Sequence, residues 1–295
     1  MLLLDVICMI FLAYFFGFLY YGLYRNITAR VHGRVGPSIA QSFYDSIKLF
    51  LKDNSTNFGW AFYGGIVITA TGAVTTLLFI PYLKNSFHLS GFSQYGNLIV
   101  ILYLMVLGPL GNAVGIGSNG NPFGVMGITR GLTRLIGLEL PFYIASIGIM
   151  IANHSADISI IMTNQSHIWN IFSYPLLFIG AFISFLGFMG NSPFDVVSAP
   201  QEVYSGPATE FSGKFFGLIL SQNVIFSFAK LLLMVDLFLG GATTLFELVV
   251  KTFILFIVAV LIGSVYARFT TIQAVEFLIK IPTIIALFGL LSISY

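Results

Sequence analysis

Apolar residues run through this chain in long blocks, separated by three long polar stretches and several short ones. An α-helix needs about 20 mostly apolar residues to cross a hydrocarbon core of about 30 Å. On that rule the blocks predict eight spanning helices: Leu2–Tyr24, Trp60–Tyr82, Gly96–Ile116, Val125–Ala152, Ile168–Gly190, Phe215–Leu239, Leu248–Ala267 and Ala274–Ile293. The first block resembles a secretory signal in position only. Its apolar run exceeds an h-region of about 7–15 residues and no basic segment precedes it, so it is read as a span. The expected fold class is an all-α membrane protein of about eight transmembrane helices plus a short amphipathic cytoplasmic helix. The whole of 1–295 is expected to form a single integral membrane domain, with a cytoplasmic loop at 25–59 and an acidic, proline-bearing loop at 191–213. No internal repeat is evident, which weighs against inverted-repeat transporter folds.

The amphipathic helix is expected within 25–59. Ser38 and Gln41 have the spacing of a capping box, with Pro37 ahead of them. The helix they would open carries Ile39, Phe43, Ile47, Phe50 and Leu51 on one side and Gln41, Asp45, Lys48 and Lys52 on the other. Too short to span, it would lie at the membrane surface. It is either a linker resting on lipid or a docking surface for a cytoplasmic partner; the Gly36-Pro37 turn and paired charges favour docking.

Composition strengthens this picture and removes several functions. Hydrophobic residues make up 57% and charged residues 8% of the 295, with mean hydropathy +0.94. A soluble domain carries roughly a quarter charged residues, so the solvent here is read as lipid. A net charge of +2 gives no nucleic-acid footprint. The single cysteine, Cys8, excludes an internal disulfide and cannot supply the several thiolates of a zinc or iron–sulfur site. The four histidines are scattered without ligand spacing, and no phosphate-binding glycine loop is present. No cofactor is therefore expected in this chain. Basic residues near the helix ends set orientation. Arg25, Arg30, Arg34, Lys48, Lys52, Arg130, Arg134, Lys214 and Arg268 would share the cytoplasmic side, against Lys84 and Lys251 opposite, with both termini outside.

Candidate chemistry concentrates on that basic side. Arg130 and Arg134 share one helix face at its cytoplasmic end. Glu139 lies nine residues past Arg130, about 13 Å deeper and half a turn round. It is either a neutral carboxyl satisfied by a neighbouring helix or a proton-relay group, since an unpaired intramembrane carboxylate is costly. Pro141 removes a backbone donor close by. In 191–213, Pro193, Pro200 and Pro207 interrupt any regular helix around Asp195, Glu202 and Glu210. The segment is either a solvated loop or, as its Phe, Val and Tyr residues favour, an ordered structure holding carboxyls in a cavity. Lys230, well inside its helix, is a further relay candidate. Asp236, six residues on, falls on another face. Glu247/Lys251 and Glu276/Lys280 read as neutralising i,i+4 pairs, and Gly111 and Gly115 as a small-residue helix contact.

Three blocks carry a family resemblance. They are Ala29-Arg-Val-His-Gly-Arg-Val-Gly-Pro37 with Gln41, Asp45, Lys48 and Lys52; Gly120-Asn-Pro-Phe123 with Arg130 and Glu139-Leu-Pro141; and Pro193-Phe-Asp195 with Ala199, Gln201-Glu202, Gly206-Pro207 and Glu210-Phe-Ser-Gly213. In order and helix context they resemble the subunit 1 family of respiratory complex I. The branch most similar is the membrane subunit of energy-converting [NiFe] hydrogenases, such as formate hydrogenlyase, and of related membrane-bound hydrogenase or sulfur reductase complexes. The chain departs from the family pattern at Ser198 and Pro200, where glutamate is common. It departs from the hydrogenase branch at Thr270 and Ile272, where arginine and aspartate are common.

The resemblance implies an eight-helix component of a prokaryotic plasma membrane. It would lie beneath a peripheral arm of hydrogenase-like large and iron–sulfur subunits, beside antiporter-like membrane subunits. Iron–sulfur clusters and a [NiFe] or related centre would reside in those partners. Glu139, Asp195, Glu202 and Glu210 would belong to a hydrophilic proton axis, with Lys230 a candidate beside it. Arg30, Arg34, Asp45 and Lys48, with Arg130 and Arg134, would support docking. The function expected is membrane anchoring and the coupling of electron transfer in the arm to H⁺ or Na⁺ translocation. A quinone-site subunit, a stand-alone transporter and a purely structural anchor are the alternatives.

Overall fold

A chain surrounded by lipid must satisfy its backbone hydrogen bonds within each segment, so long apolar blocks become helices. The computed structural model describes residues 2–54, 59–84, 89–118, 120–197, 202, 204 and 206–293, without the side chains of residues 2 and 210. Among those residues all regular secondary structure is helical. In chain order the helices are α1 Leu2–Val31, α2 Gln41–Leu51, α3 Trp60–Phe79, α4 Leu98–Gly117, α5 Pro122–Ala152, α6 Ile158–Asn164, α7 Asn170–Ser173, α8 Pro175–Phe188, α9 Gly213–Phe238, α10 Leu245–Val265 and α11 Thr271–Leu291. Among the described residues seven of these are long and apolar enough to cross a membrane, and α8 is a shorter apolar helix.

Three boundaries differ from the sequence expectation. The block expected at Ile168–Gly190 is broken into α7 and α8 at Tyr174-Pro175. Pro175 has no N–H to continue the preceding turn and instead occupies the first turn of α8, where that N–H is not needed. Helix α1 continues past Tyr24 to Val31, which puts Arg25 and Arg30 on helix rather than loop. The capping box at Ser38 and Gln41 does not form. Helix α2 begins at Gln41 behind Ala40 with no side-chain cap, and the Gln41 amide donates forward to Asp45 at 2.9 Å. A capping box forms instead at Thr270, one of the positions departing from the hydrogenase branch. Its hydroxyl accepts from the Gln273 N–H, and the Gln273 side chain accepts from the Thr270 N–H.

Packing is organised around α9. Leu231–Val235, Leu237 and Phe238 are all but inaccessible, and α1, α2, α3, α8 and α10 lie against this helix. On one flank α3 and α4 meet through glycines. A methyl group at Gly65 would lie 2.3 Å from the Gly115 Cα, and one at Gly111 would lie 2.4 Å from the Thr69 hydroxyl. The small-residue contact read from Gly111 and Gly115 is thus present, with Gly65 as its partner. On the other flank α11 packs on α5 and α8, where Gly180 meets Ala286 and Gly137 meets Leu278. Helix α2 turns its small residues Ser42 and Ser46 inward, Ser46 hydrogen-bonding Tyr14 at 2.8 Å. Ile39, Ile47, Phe50 and Leu51 face outward. Of the apolar side of α2, Phe43 packs on Phe15 and Phe18 of α1, and the rest is largely exposed.

Candidate functional site

A cavity of about 630 Å³ opens between α1, α4, α5 and α9 and is closed on one side by the segments 188–197 and 207–211. Its walls are largely aromatic and aliphatic, with rings from Phe188, Phe211, Phe226 and Phe256. Among the described residues three charged side chains line it: Arg134 from α5, Asp195 from the segment after α8, and Lys230 from α9.

Each is fixed by a different element. The Arg134 guanidinium donates to the Phe194 carbonyl at 2.6 Å. Asp195 accepts from Arg268, beyond the end of α10, at 2.9 Å; both side chains keep about a quarter of their surface exposed (23% and 24%). The Lys230 ammonium donates to the Phe188 carbonyl at 3.2 Å and lies 3.9 Å from the centre of the Phe226 ring, a cation–π arrangement. The 191–197 segment that presents Asp195 is ordered by burial. Phe194 and Val196 are buried, Phe194 packs on Phe269 and Phe277, and the Phe269 N–H donates to the Pro193 carbonyl at 2.9 Å. Gln222 of α9, 4% exposed, lines the same cavity, and neither end of its amide has a protein partner among the described residues. Among the described residues the cavity thus holds two basic side chains and one carboxylate, the carboxylate tied to a third basic side chain. In a water-poor setting such a group responds strongly to a change of charge nearby.

The remaining candidates lie elsewhere. Glu139 is half-buried on α5 outside the cavity, one turn from Tyr143, which donates to the Leu102 carbonyl of α4. Glu202 is exposed and ion-paired with Arg130. The Glu210 backbone sits in a 3₁₀ turn, Gly206–Glu210, packed against α5 at Gly127. The Glu210 side chain, and Ser198 and Pro200, lie outside the described residues. Asp45 joins Arg25 at 2.9 Å, and Gln41 foremost, then Arg25, holds its carboxyl below the usual carboxylate pKa. Arg30, Arg34 and Lys48 are exposed. Away from the cavity, Lys251 is clasped by the Leu239 and Gly241 carbonyls at 2.8 and 2.6 Å and by Glu247 at 2.7 Å, so that pair is present with further partners. The structure therefore brings Arg134, Asp195 and Lys230 together and leaves Glu139 and Glu202 apart from them. It adds Arg268 and Gln222, which sequence reasoning did not select. For Arg268 the one signal was a lone basic residue just past an apolar block; Gln222 sits unmarked in a polar triplet, Ser221-Gln222-Asn223.

Comparison with known proteins matches this architecture to one family. A family model described as NADH dehydrogenase matches residues 4–294. The H subunit of NADH-quinone oxidoreductase from Bacillus cytotoxicus is 28% identical over 238 residues, covering 76% of this chain and 70% of that protein. Its counterpart from Carboxydothermus hydrogenoformans is 29% identical over 231 residues, covering 74% and 64%. Among solved structures, a chain of the membrane-bound sulfane sulfur reductase, an archaeal respiratory membrane complex, superimposes with a TM-score of 0.94 at 32% identity over 99% of both chains. This multi-pass membrane chain belongs to the NADH dehydrogenase family that includes the H-type membrane component of NADH-quinone oxidoreductase.

Proposed function

We propose that this membrane subunit of a complex I-like respiratory complex couples electron transfer in a peripheral, [NiFe]-hydrogenase-like arm to H⁺ or Na⁺ translocation. The observation that carries the proposal is the Arg134–Asp195–Lys230 cavity. It lies against a segment whose backbone anchors Arg134 and whose carboxylate is tied to Arg268. Charge or motion arriving above Asp195 alters a group that lines the same cavity as Lys230 of α9. A coupling element needs charged groups whose state an event in a neighbouring subunit can bias. The near full-length likeness to a sulfane sulfur reductase chain supports a low-potential arm of the hydrogenase or sulfur-reductase kind. The orientation implied by the basic ends places the arm on the cytoplasmic side, over Arg30, Arg34 and Lys48. Iron–sulfur clusters and the [NiFe]-type centre then belong to partner subunits, and antiporter-like subunits lie alongside in the membrane.

A second reading, a quinone site, is favoured by the cavity's volume and aromatic walls and by the names of the quinone oxidoreductase relatives. Isolation in mild detergent separates the two. The coupling proposal expects a large subunit and iron–sulfur subunits to accompany the chain, with electron transfer indifferent to added quinone-site inhibitors. Inhibition of turnover by quinone analogues competing at this cavity would establish the second reading. Isolation of the chain without any companion would overturn both.

A further inference from the structure

Glu276 and Lys280 of α11 form an i,i+4 ion pair at 3.1 Å whose side chains keep 60% and 69% of their surface exposed. Lys280 is near the middle of this 21-residue helix. At 1.5 Å per residue it is about 14 Å from one end and about 17 Å from the other, close to the centre of a hydrocarbon core of about 30 Å. The inward line of α11 (Ala274, Leu278, Pro282, Ala286, Gly289) is buried against α5 and α8. The outward line is a single ridge at four-residue spacing: Ile272, Glu276, Lys280, Ile284 and Phe288, every member exposed. Such a ridge is the surface that fits the groove of another helix.

Hydrocarbon cannot solvate this pair. Each such charge at mid-membrane costs about 2.5–3.5 kcal/mol even by the lenient insertion scale. One contact between the two leaves further ammonium N–H and carboxylate lone pairs facing a medium that offers no hydrogen bonds. Lys230 and Lys251, by contrast, are turned inward onto backbone carbonyls. A second copy of this chain is a poor cover. A two-fold axis along the membrane normal sets identical residues at equal depth, bringing Lys280 towards Lys280.

We infer that the outward ridge of α11 is covered in the assembled complex by a transmembrane helix of a different subunit. That helix presents carboxylate or carboxamide side chains at the depth of Glu276 and Lys280. The inference rests on the multisubunit assembly proposed above. It is tested by placing a benzophenone amino acid at Ile284, irradiating the purified complex and mapping the adduct. The expected adduct lies in an apolar segment of a companion subunit, within about one helical turn of an acidic or amide side chain. Adducts with lipid or detergent alone, or with a second copy of this chain, overturn it. The function proposed above then still stands if companions co-purify. The swapped variant Glu276→Lys/Lys280→Glu keeps the internal pair but inverts the ridge's charge order. Retention of that companion through detergent washing is expected to fall about threefold or more, the size of a single interhelical polar contact in a membrane. Unchanged retention would also overturn the inference.

Discussion

Asp195 and Arg268 are 73 positions apart in the chain and 2.9 Å apart in space. Arg130 reaches Glu202 across 72 positions and Arg134 reaches the Phe194 carbonyl across 60. Sequence alone singled out Asp195, Glu202, Arg130 and Arg134, because charge in an apolar chain is conspicuous, and passed over Arg268. It could not pair them, since each pairing depends on how separate helices pack. The physical consequence is cooperativity: a half-buried pair is neither a screened surface contact nor a fully desolvated one. A double-mutant cycle of Asp195→Asn and Arg268→Gln on the solubilised protein is expected to show a coupling of about 1–2 kcal/mol. Additive losses would mean the two side chains do not support one another.

At the scale of elements, hydropathy was a sufficient guide wherever the apolar block was uninterrupted, as in α3, α4 and α9. It failed where local chemistry decides. The Tyr174-Pro175 break disappears in a window average, and the polar continuation of α1 to Val31 is helical despite its composition. The direction in which α2 buries its small serines depends on neighbours that only the fold supplies. Two tests belong here. Gly65→Ala drives a methyl group into the backbone of α4. It is expected to destabilise the protein by about 1–3 kcal/mol, read as a lower thermal midpoint in detergent, whereas Gly64→Ala, with open space around it, does not lower the midpoint. On α2, Asp45 has a folded pKa held below its ordinary value by Gln41 and then Arg25. A depressed carboxylate pKa stabilises above the unfolded value of about 4 and loses that contribution as pH falls through the folded value. The midpoint difference between wild type and Asp45→Asn is therefore expected to hold steady from about pH 6 to 8 and to shrink below about pH 4. A difference that grows on acidification would contradict the ion pair.

Across the whole molecule, apart from Glu139 of α5 and the Glu276–Lys280 pair of α11, charged groups at membrane depth gather at two places along α9. One set lines the cavity, and the other, around Lys251, closes the Leu239–Gly241 turn. Between them Leu231–Val235 form a tightly buried stretch without ionisable side chains, which favours lateral transmission from the cavity over a path straight along α9. The direct measurement is the ratio of ions moved to electrons transferred, taken on the intact complex in sealed vesicles, for wild type and Asp195→Asn. Coupling through the Asp195–Lys230 cavity predicts that electron transfer to an artificial acceptor stays within about twofold while the ion ratio falls about tenfold, a loss of about 1.4 kcal/mol in the coupling step. An unchanged ratio in a variant that still assembles would contradict it.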